Sequence, residues 1–272
     1  MNTMQQHERG QEQEEARVAV EETVHGIKKE ENKEWMLPAS IVFAAIVIAA
    51  AFIYASGSNG TPPVNQPENA AVTAPPVTDK DVIVGDPNAP MTIIEYGDFQ
   101  CPGCVSFFAV GEGLVRQQLV ETGKAKFVFR PFPIVDQIVG KGTESVDSSL
   151  ALLCARDQGK FWEMHDGLYA AEAKDEEAVA RAGSGSSEGN GNLNKALFMQ
   201  IAKESGADAK VFAACYDART PAGELSEIVA DARTAGVQGT PTLFVDGVLF
   251  DLDSRQYPTW QSAIDYIEQF AK

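Results

Sequence analysis

The sequence MTIIEYGDFQCPGC, residues 91–104, decides the fold of this chain. It opens with an apolar run, Met91 to Tyr96, that is typical of a strand, and the residues after it have the spacing of a helix. A thiol at the first turn of a helix faces unpaired backbone N–H groups and the positive end of the helix dipole, which lower its pKa. Cys101 is therefore the candidate nucleophile, and Cys104, one turn further on, is the second thiol of a redox pair.

A Cys-x-x-Cys motif is also half of many zinc sites, which normally need a second pair of Cys or His ligands. The two other cysteines, Cys154 and Cys215, are single and far apart in the sequence. The pattern therefore favours a redox pair over a metal site. The adjacent His165 and Asp166 are interpreted as structural, because a metal-dependent hydrolase needs several further ligands.

Composition excludes some classes of partner. The chain has 272 residues, of which 44% are hydrophobic, so it can bury a sizeable core. Its formal net charge is −17 and its sequence pI is about 4.6. Such an acidic chain is not expected to bind nucleic acid or an anionic membrane surface.

One segment has the length of a membrane span. Met36 to Ala55 read MLPASIVFAAIVIAAAFIYA, without a charged residue. Lys28, Lys29 and Lys33 precede it closely, and no Lys or Arg follows it before Lys80. The positive-inside rule then predicts a single-pass protein of the cell membrane, with a cytoplasmic N-terminus and an extracytoplasmic catalytic domain. A cleaved signal peptide is the alternative, because small residues follow the run.

Composition and periodicity divide the chain into six parts. They are a cytoplasmic polar tail (1–35), a transmembrane helix (36–56), a Pro/Gly/Ser-rich linker (57–79), the first half of an α/β domain (80–135), a helical insertion (136–225) and the second half of that domain (226–272). Predicted strands lie at 81–84, 91–96 and 126–130, with two more within 237–250 that are joined by an Asp-Gly turn, Asp246-Gly247. Predicted helices lie at 105–120, 144–173, 193–204, 210–216, 224–234 and 261–270. The segment RAGSGSSEGNGN, residues 181–192, is expected to be an exposed flexible loop. The order predicts an α/β protein whose thioredoxin-like sheet is interrupted by helices.

Four segments in this order resemble the DsbA-like thiol-disulfide oxidoreductases, particularly their membrane-tethered bacterial members. They are IIEYGDFQCPGC (93–104), VFRPFPI (128–134), LCARDQGKFWEMHDGLY (153–169) and GVQGTPTLFVDG (236–247). The resemblance covers about Val82 to the C-terminus. It implies a thioredoxin-like fold with an inserted helical domain, preceded here by one transmembrane helix. It also implies that the Cys101–Cys104 disulfide is exchanged with protein substrates and that no other cofactor is needed.

The resemblance also implies roles for other residues. Pro241 is expected to be cis, which leaves the backbone of Thr240 free to pair with an extended substrate; alternatively, Pro241 merely begins a strand. Glu95 matches the buried acid that serves the second thiol as a proton shuttle, and a glutamate on the surface of a strand is the alternative. Some family members have a second disulfide, so Cys154 and Cys215 are expected to form a structural bridge; two separate buried thiols are the alternative.

The residues between the thiols depart from the family pattern. They are Pro102 and Gly103, whereas the strongly oxidising members have a histidine in the second position. We expect the reduced form to be less stabilised without it and the protein to be a weaker oxidant. The predicted function is to introduce disulfides into exported cysteine-containing proteins, with a membrane redox partner that recycles the pair. A reductase or isomerase using the same site stays open, as does a non-catalytic chaperone-like module.

Overall fold

The computed structural model describes residues 73–252 and 256–269. The predicted cytoplasmic tail and transmembrane helix, and most of the linker, lie outside these residues. Within the part that is described, no helix is both long enough and apolar enough to cross a membrane.

Five strands form one sheet, in the order β1-β3-β2-β4-β5. They are β1 (Ile83–Val84), β2 (Met91–Gly97), β3 (Ala125–Pro131), β4 (Thr242–Val245) and β5 (Val248–Phe250). The pair β2 and β3 is parallel, and the other neighbours are antiparallel. Asp246 and Gly247 join β4 to β5 with φ values of 50° and 81°, as a tight hairpin turn requires.

A continuous helical segment, α1 (residues 102–120), connects the parallel strands. It consists of α-helical turns at Pro102–Ser106 and Gly113–Val115 and π-helical turns at Phe107–Glu112 and Arg116–Val120. The remaining helices are α2 (Val135–Val139), α3 (Glu144–Arg156), α4 (Phe161–Ala182), α5 (Lys195–Glu204), α6 (Ala209–Asp217), α7 (Ala222–Thr234) and α8 (Trp260–Glu268).

Side chains alternate across the sheet because successive strand residues point to opposite faces. Ile93, Phe127 and Leu243 are buried on the face that packs with residues of α1 and α8. Their neighbours Ile94, Val128 and Phe244 are buried on the other face, with residues of α7 and the turn after it. The thioredoxin-like α/β fold expected from the sequence is confirmed, with helices on both faces of the sheet.

The inserted helices contain two differences from the sequence prediction. The helical pattern expected from 144 to about 173 forms two helices, because the chain turns at residues 157–160, where Gly159 adopts a φ of 69°, and α4 then continues to Ala182, beyond the expected end. The loop expected to be exposed is in part buried: Ser187 has only 5% of its surface exposed. Backbone N–H groups of this loop donate to buried side chains, Gly189 to Gln100 at 2.6 Å and Gly191 to Glu144 at 2.8 Å.

A disulfide joins the first of these helices to a later one. Cys154 on α3 and Cys215 on α6 are bonded, with their Cα atoms 5.8 Å apart and a sequence separation of 61. Cys154 lies in the core that the inserted helices share with Phe99 and Cys104. The bridge therefore closes a loop that contains α4 and α5.

Candidate active site

Cys101 caps the N-terminus of α1. Its backbone is extended (φ −79°, ψ 118°), and Pro102 occupies the first helical position, where its missing N–H is not needed. The Cys101 carbonyl accepts the first helical hydrogen bond from Val105 at 3.0 Å. Strand β2 and the turn at residues 98–100 therefore place the Cys101 sulfur at the helix terminus. The sulfur is partly exposed there and is not bonded to another sulfur.

The surroundings of Cys101 favour its thiolate. Its pKa is lowered from an ordinary 9.0 to about 6, first because Cys104 gives it a side-chain hydrogen bond. Partial burial opposes the shift, and hydrogen bonds from the Thr240 side chain and the backbone of Cys104 and Gly103 add to it. The protonated Cys101 thiol donates to the Thr240 carbonyl at 3.2 Å, a contact that favours the thiol but is outweighed. The sulfur is thus largely ionised at neutral pH without a histidine between the cysteines.

Cys104 has the opposite character. It is fully buried. Burial raises its pKa well above the ordinary value, and the neighbouring charges of Cys101 and Glu95 raise it further. The pair is therefore asymmetric: one accessible thiol that ionises readily and one buried thiol that holds its proton.

Glu95 lies in the centre of the sheet. It pairs with Phe129 of β3 on one side and Leu243 of β4 on the other, and only 1% of its surface is exposed. Neither of its carboxyl oxygens has a hydrogen-bond partner among the described residues. Its pKa is raised well above the ordinary value by burial, and further by the charges of Glu112 and Cys101. A buried carboxylic acid that keeps its proton near neutrality can supply one to a neighbouring thiolate.

Gly97 provides the space in which this acid sits. A Cβ atom added to Gly97 would lie 2.4 Å from the Phe129 ring, 2.7 Å from the Tyr169 hydroxyl and 3.0 Å from Oε1 of Glu95. No side chain fits there without displacing one of these groups. No sequence signal marks Gly97, because only the packing around it shows that a larger residue is excluded.

The Thr240–Pro241 peptide bond is cis and faces the end of α1. A Cβ atom added to Gly103 would lie 3.0 Å from Cδ of Pro241 and 3.6 Å from the Cys101 sulfur. Gly103, the residue that departs from the family pattern, therefore lies next to both the Cys101 sulfur and the ring of Pro241. A side chain at position 103 would contact Pro241 and alter the surroundings of the Cys101 sulfur.

Some charged residues near the site were missed at the sequence level. Glu112 is buried, and its neighbour Arg116 donates to it at 2.7 Å from Nε. Their spacing of four positions on one helix was the only sequence signal, and it is common on solvated helices. Gln100, the residue before Cys101, is also buried and donates to Asp136 and Ser145 at 2.8 and 2.7 Å.

Comparisons with known proteins agree with this geometry. A family model described as thioredoxin matches residues 77–266. Over 174 residues the chain is 32% identical to Na(+)/H(+) antiporter NhaA 1 of Salinispora arenicola, a match that covers 62% of this chain and 22% of the antiporter. The chain thus spans about a fifth of that relative.

Two further proteins match a larger share of their own length. The chain is 24% identical over 184 residues to "Probable disulfide bond formation protein D" of Bacillus anthracis, covering 67% of this chain and 76% of that protein. The crystal structure of oxidised BdbD from Bacillus subtilis has the same fold, with a TM-score of 0.58 at 20% identity, covering 74% of this chain and 98% of BdbD. The resemblance expected from the sequence is confirmed, and the chain belongs to the thioredoxin family.

Proposed function

We propose that this protein is an extracytoplasmic thiol-disulfide oxidoreductase that introduces disulfides into exported proteins. The observation that carries the proposal is the asymmetry of the pair: an accessible Cys101 with a pKa of about 6 beside a buried Cys104 whose pKa is raised. Binding alone would need no such pair. The names of the relatives, which include a disulfide bond formation protein, support the same activity.

The proposed reaction moves two electrons from substrate to enzyme. A substrate thiolate attacks the Cys101 sulfur of the oxidised pair, and the Cys101–Cys104 bond breaks. Cys104 leaves with the electron pair as a thiolate and takes the proton of Glu95. A second substrate thiolate then attacks the substrate sulfur of the mixed disulfide, and Cys101 leaves as a thiolate.

The low pKa of Cys101 supports this direction. A stable thiolate is a good leaving group in the second step and stabilises the reduced enzyme, which makes the disulfide a stronger oxidant. The redox-active atoms are the two sulfurs, so we propose that the reaction uses no bound cofactor. A membrane redox partner would reoxidise the pair after each transfer.

A reductase or isomerase is the second candidate, and Gly103 favours it. Glycine supplies no side-chain donor to the Cys101 thiolate. A larger side chain at position 103 would need a rearrangement, because its Cβ atom would lie 3.0 Å from Cδ of Pro241. The reduction potential separates the two candidates. By comparison with well-characterised thiol enzymes, a potential of about −120 mV would support an oxidase, one of about −180 mV an isomerase and one of about −270 mV a reductase.

The cellular location is also proposed: a single-pass anchor at residues 36–56 with the domain outside the cytoplasm. The lysines before the apolar run support the orientation. The Cys154–Cys215 bridge supports an oxidising compartment, because such bonds are rare in the reducing cytosol. Protease added to intact cells should cut the domain, and protection until lysis would contradict the orientation.

Turnover tests the activity. The oxidised full chain should convert a reduced two-cysteine peptide to its disulfide, and Cys101→Ser should abolish the conversion. The double variant Cys154→Ala/Cys215→Ala is the matched control, because it removes two cysteines outside the site and should retain turnover. A wild-type chain that converts no peptide, or a Cys101→Ser variant that does so normally, would contradict the proposal.

A further inference from the structure

Strand β5 forms one edge of the sheet and carries exposed apolar residues. Among the described strands it is the last in the order β1-β3-β2-β4-β5. Val248 and Leu249 on this strand have 56% and 41% of their surface exposed. An edge strand presents unpaired N–H and C=O groups to any extended chain, and proteins usually cover or charge such an edge. An edge as apolar as β5 is therefore expected to have an occupant.

The chain itself begins to cover this edge. Thr73, the first described residue, forms an antiparallel bridge with Val248. The N–H of Ala74 donates to the carbonyl oxygen of Gly247 at 2.8 Å, and Ala74 is buried on the sheet face that packs with residues of α7. In an antiparallel pair the two chains run in opposite directions. The residues before Thr73 are therefore directed along β5, from Val248 toward Phe250.

The register of this bridge determines which residues would meet. Continued by one position, it places Val72 opposite Leu249. The hydrogen bond from Ala74 lies two positions away, and hydrogen-bonded pairs recur at every second position, so Val72 and Leu249 would exchange both N–H···O bonds. Ala71 would fall opposite Phe250 in a non-bonded pair, with its N–H directed away from β5.

The hairpin leaves the backbone of Leu249 oriented for this pairing. Residues 246–247 form a two-residue turn, so Val245 and Val248 on either side of it make the closing hydrogen-bonded pair. Leu249 and its partner Phe244 then form a non-bonded pair, because the two kinds of pair alternate. The N–H and C=O of Leu249 therefore point to the outer side of the sheet, where the linker arrives.

The linker sequence is suited to a short strand. Residues 68–74 read ENAAVTA and form the longest stretch of the linker without a proline or a glycine. Pro67 and Pro75 bound this stretch, and a proline cannot donate to a ladder of backbone hydrogen bonds. Val72 and Ala74 are two positions apart, so in a strand they share one face. That is the face on which Ala74 is buried.

We propose that residues 70–72 of the linker pair with β5 as a sixth, antiparallel strand of the sheet. This occupant is favoured over a separate chain because it is already attached at Thr73, so its docking costs no translational freedom. A second copy of the protein is disfavoured by repulsion, since the formal net charge of each chain is −17.

Docking would join the linker to the domain at its active-site end. Phe250 lies opposite Leu243, near the start of β4 and the cis Thr240–Pro241 bond. Strand β2 ends at the same end of the sheet, shortly before Cys101. The residues before Ala70 would therefore leave the sheet at the end that carries the thiols and not at the hairpin end. This inference goes beyond the proposed function and holds for an oxidase, an isomerase or a reductase.

Hydrogen exchange of single backbone amides in the full chain tests the docking. In the wild type the amide of Leu249 should exchange slowly. Val72→Pro removes the N–H that would donate to the Leu249 carbonyl, so we expect the Leu249 amide to exchange at least about tenfold faster than in the wild type. Ala71→Pro is the matched control. Its N–H would point away from β5, where an edge strand tolerates proline, so exchange at Leu249 should match the wild type.

Four results would overturn the proposal. The first is a Leu249 amide that exchanges rapidly in the wild type, and the second is one that exchanges equally slowly in Val72→Pro. Equal acceleration by Val72→Pro and Ala71→Pro would overturn the register. Protection of Leu249 that increases with protein concentration would assign the edge to a second copy of the chain.

Discussion

The low pKa of Cys101 should depend mainly on Cys104. Its largest cause is the hydrogen bond from the Cys104 thiol. A hydrogen bond to a charged group contributes about 1.5–3 kcal/mol, and one pKa unit corresponds to about 1.4 kcal/mol. Cys104→Ala removes the donor and should therefore raise the pKa of Cys101 by about 1–2 units. Cys104→Ser keeps a hydroxyl donor and should leave the pKa closer to about 6.

The pH dependence of alkylation measures this change. Cys101 is the single free thiol in either variant, because Cys154 and Cys215 are bonded. At pH 6 about half of the Cys101 thiol is ionised in the wild type. In the alanine variant the ionised fraction should be less than about a tenth, so alkylation of Cys101 in that variant should be about fivefold slower or more. An alanine variant whose Cys101 still titrates near 6, or a serine variant shifted as far as the alanine variant, would refute the assigned cause.

Three other predictions concern stability. Replacing Cys154 and Cys215 by alanine should lower the unfolding free energy by about 2–4 kcal/mol in denaturant titrations, because a loop of about sixty residues is opened; an unchanged midpoint would contradict a stabilising bridge. Gly97→Ala should lower the unfolding free energy by about 1–3 kcal/mol, because the added methyl group overpacks the core. Gly113→Ala, at a helical position with open space around it, should leave the unfolding free energy unchanged or raise it. Equal effects of the two substitutions would contradict the packing argument. Burial raises the pKa of Glu172 from 4.5 to about 8, so the folded state holds its proton more tightly and stability should fall as pH rises through that window. Glu172→Gln should flatten this part of the Tm–pH profile. An unchanged slope would contradict the raised pKa of Glu172 as its cause.

The sheet and the thiol pair were predictable because their signals are local. The apolar run at residues 91–96 identified the central strand, and the position of Cys101 before a helix identified the nucleophile. The Asp246-Gly247 pair correctly indicated a hairpin, since both residues take positive φ values. Each of these features depends on the chemistry of a few consecutive residues.

The features that could not be predicted depend on distant contacts. The segment at 181–192 is polar and rich in glycine, which is typical of an exposed loop, yet Gln100 and Glu144 bind its backbone. Glu112 and His165 face each other across 3.8 Å but are more than fifty positions apart in the sequence, and nothing near either residue signals the other. The helical stretch after residue 144 was predicted too short because the exposed residues at the end of α4 have little apolar periodicity.

The proposed membrane helix rests on composition, and its orientation rests on the lysines before it and on the Cys154–Cys215 bridge. The apolar run at residues 36–56 and the lysines before it lie outside the described part of the chain. Protease accessibility in cells is therefore the measurement for that part of the account, and it is independent of the chemistry at Cys101.

Trapping the reaction intermediate is the sharpest test of Cys101 as the sulfur that substrate thiols attack. The oxidised full chain is mixed with a reduced two-cysteine peptide, quenched with acid within the first turnover, and mapped by mass spectrometry. We expect a mixed disulfide between the peptide and Cys101, with Cys104 as a free thiol. A peptide linked to Cys104, or disulfide formation without any enzyme-linked peptide, would contradict it.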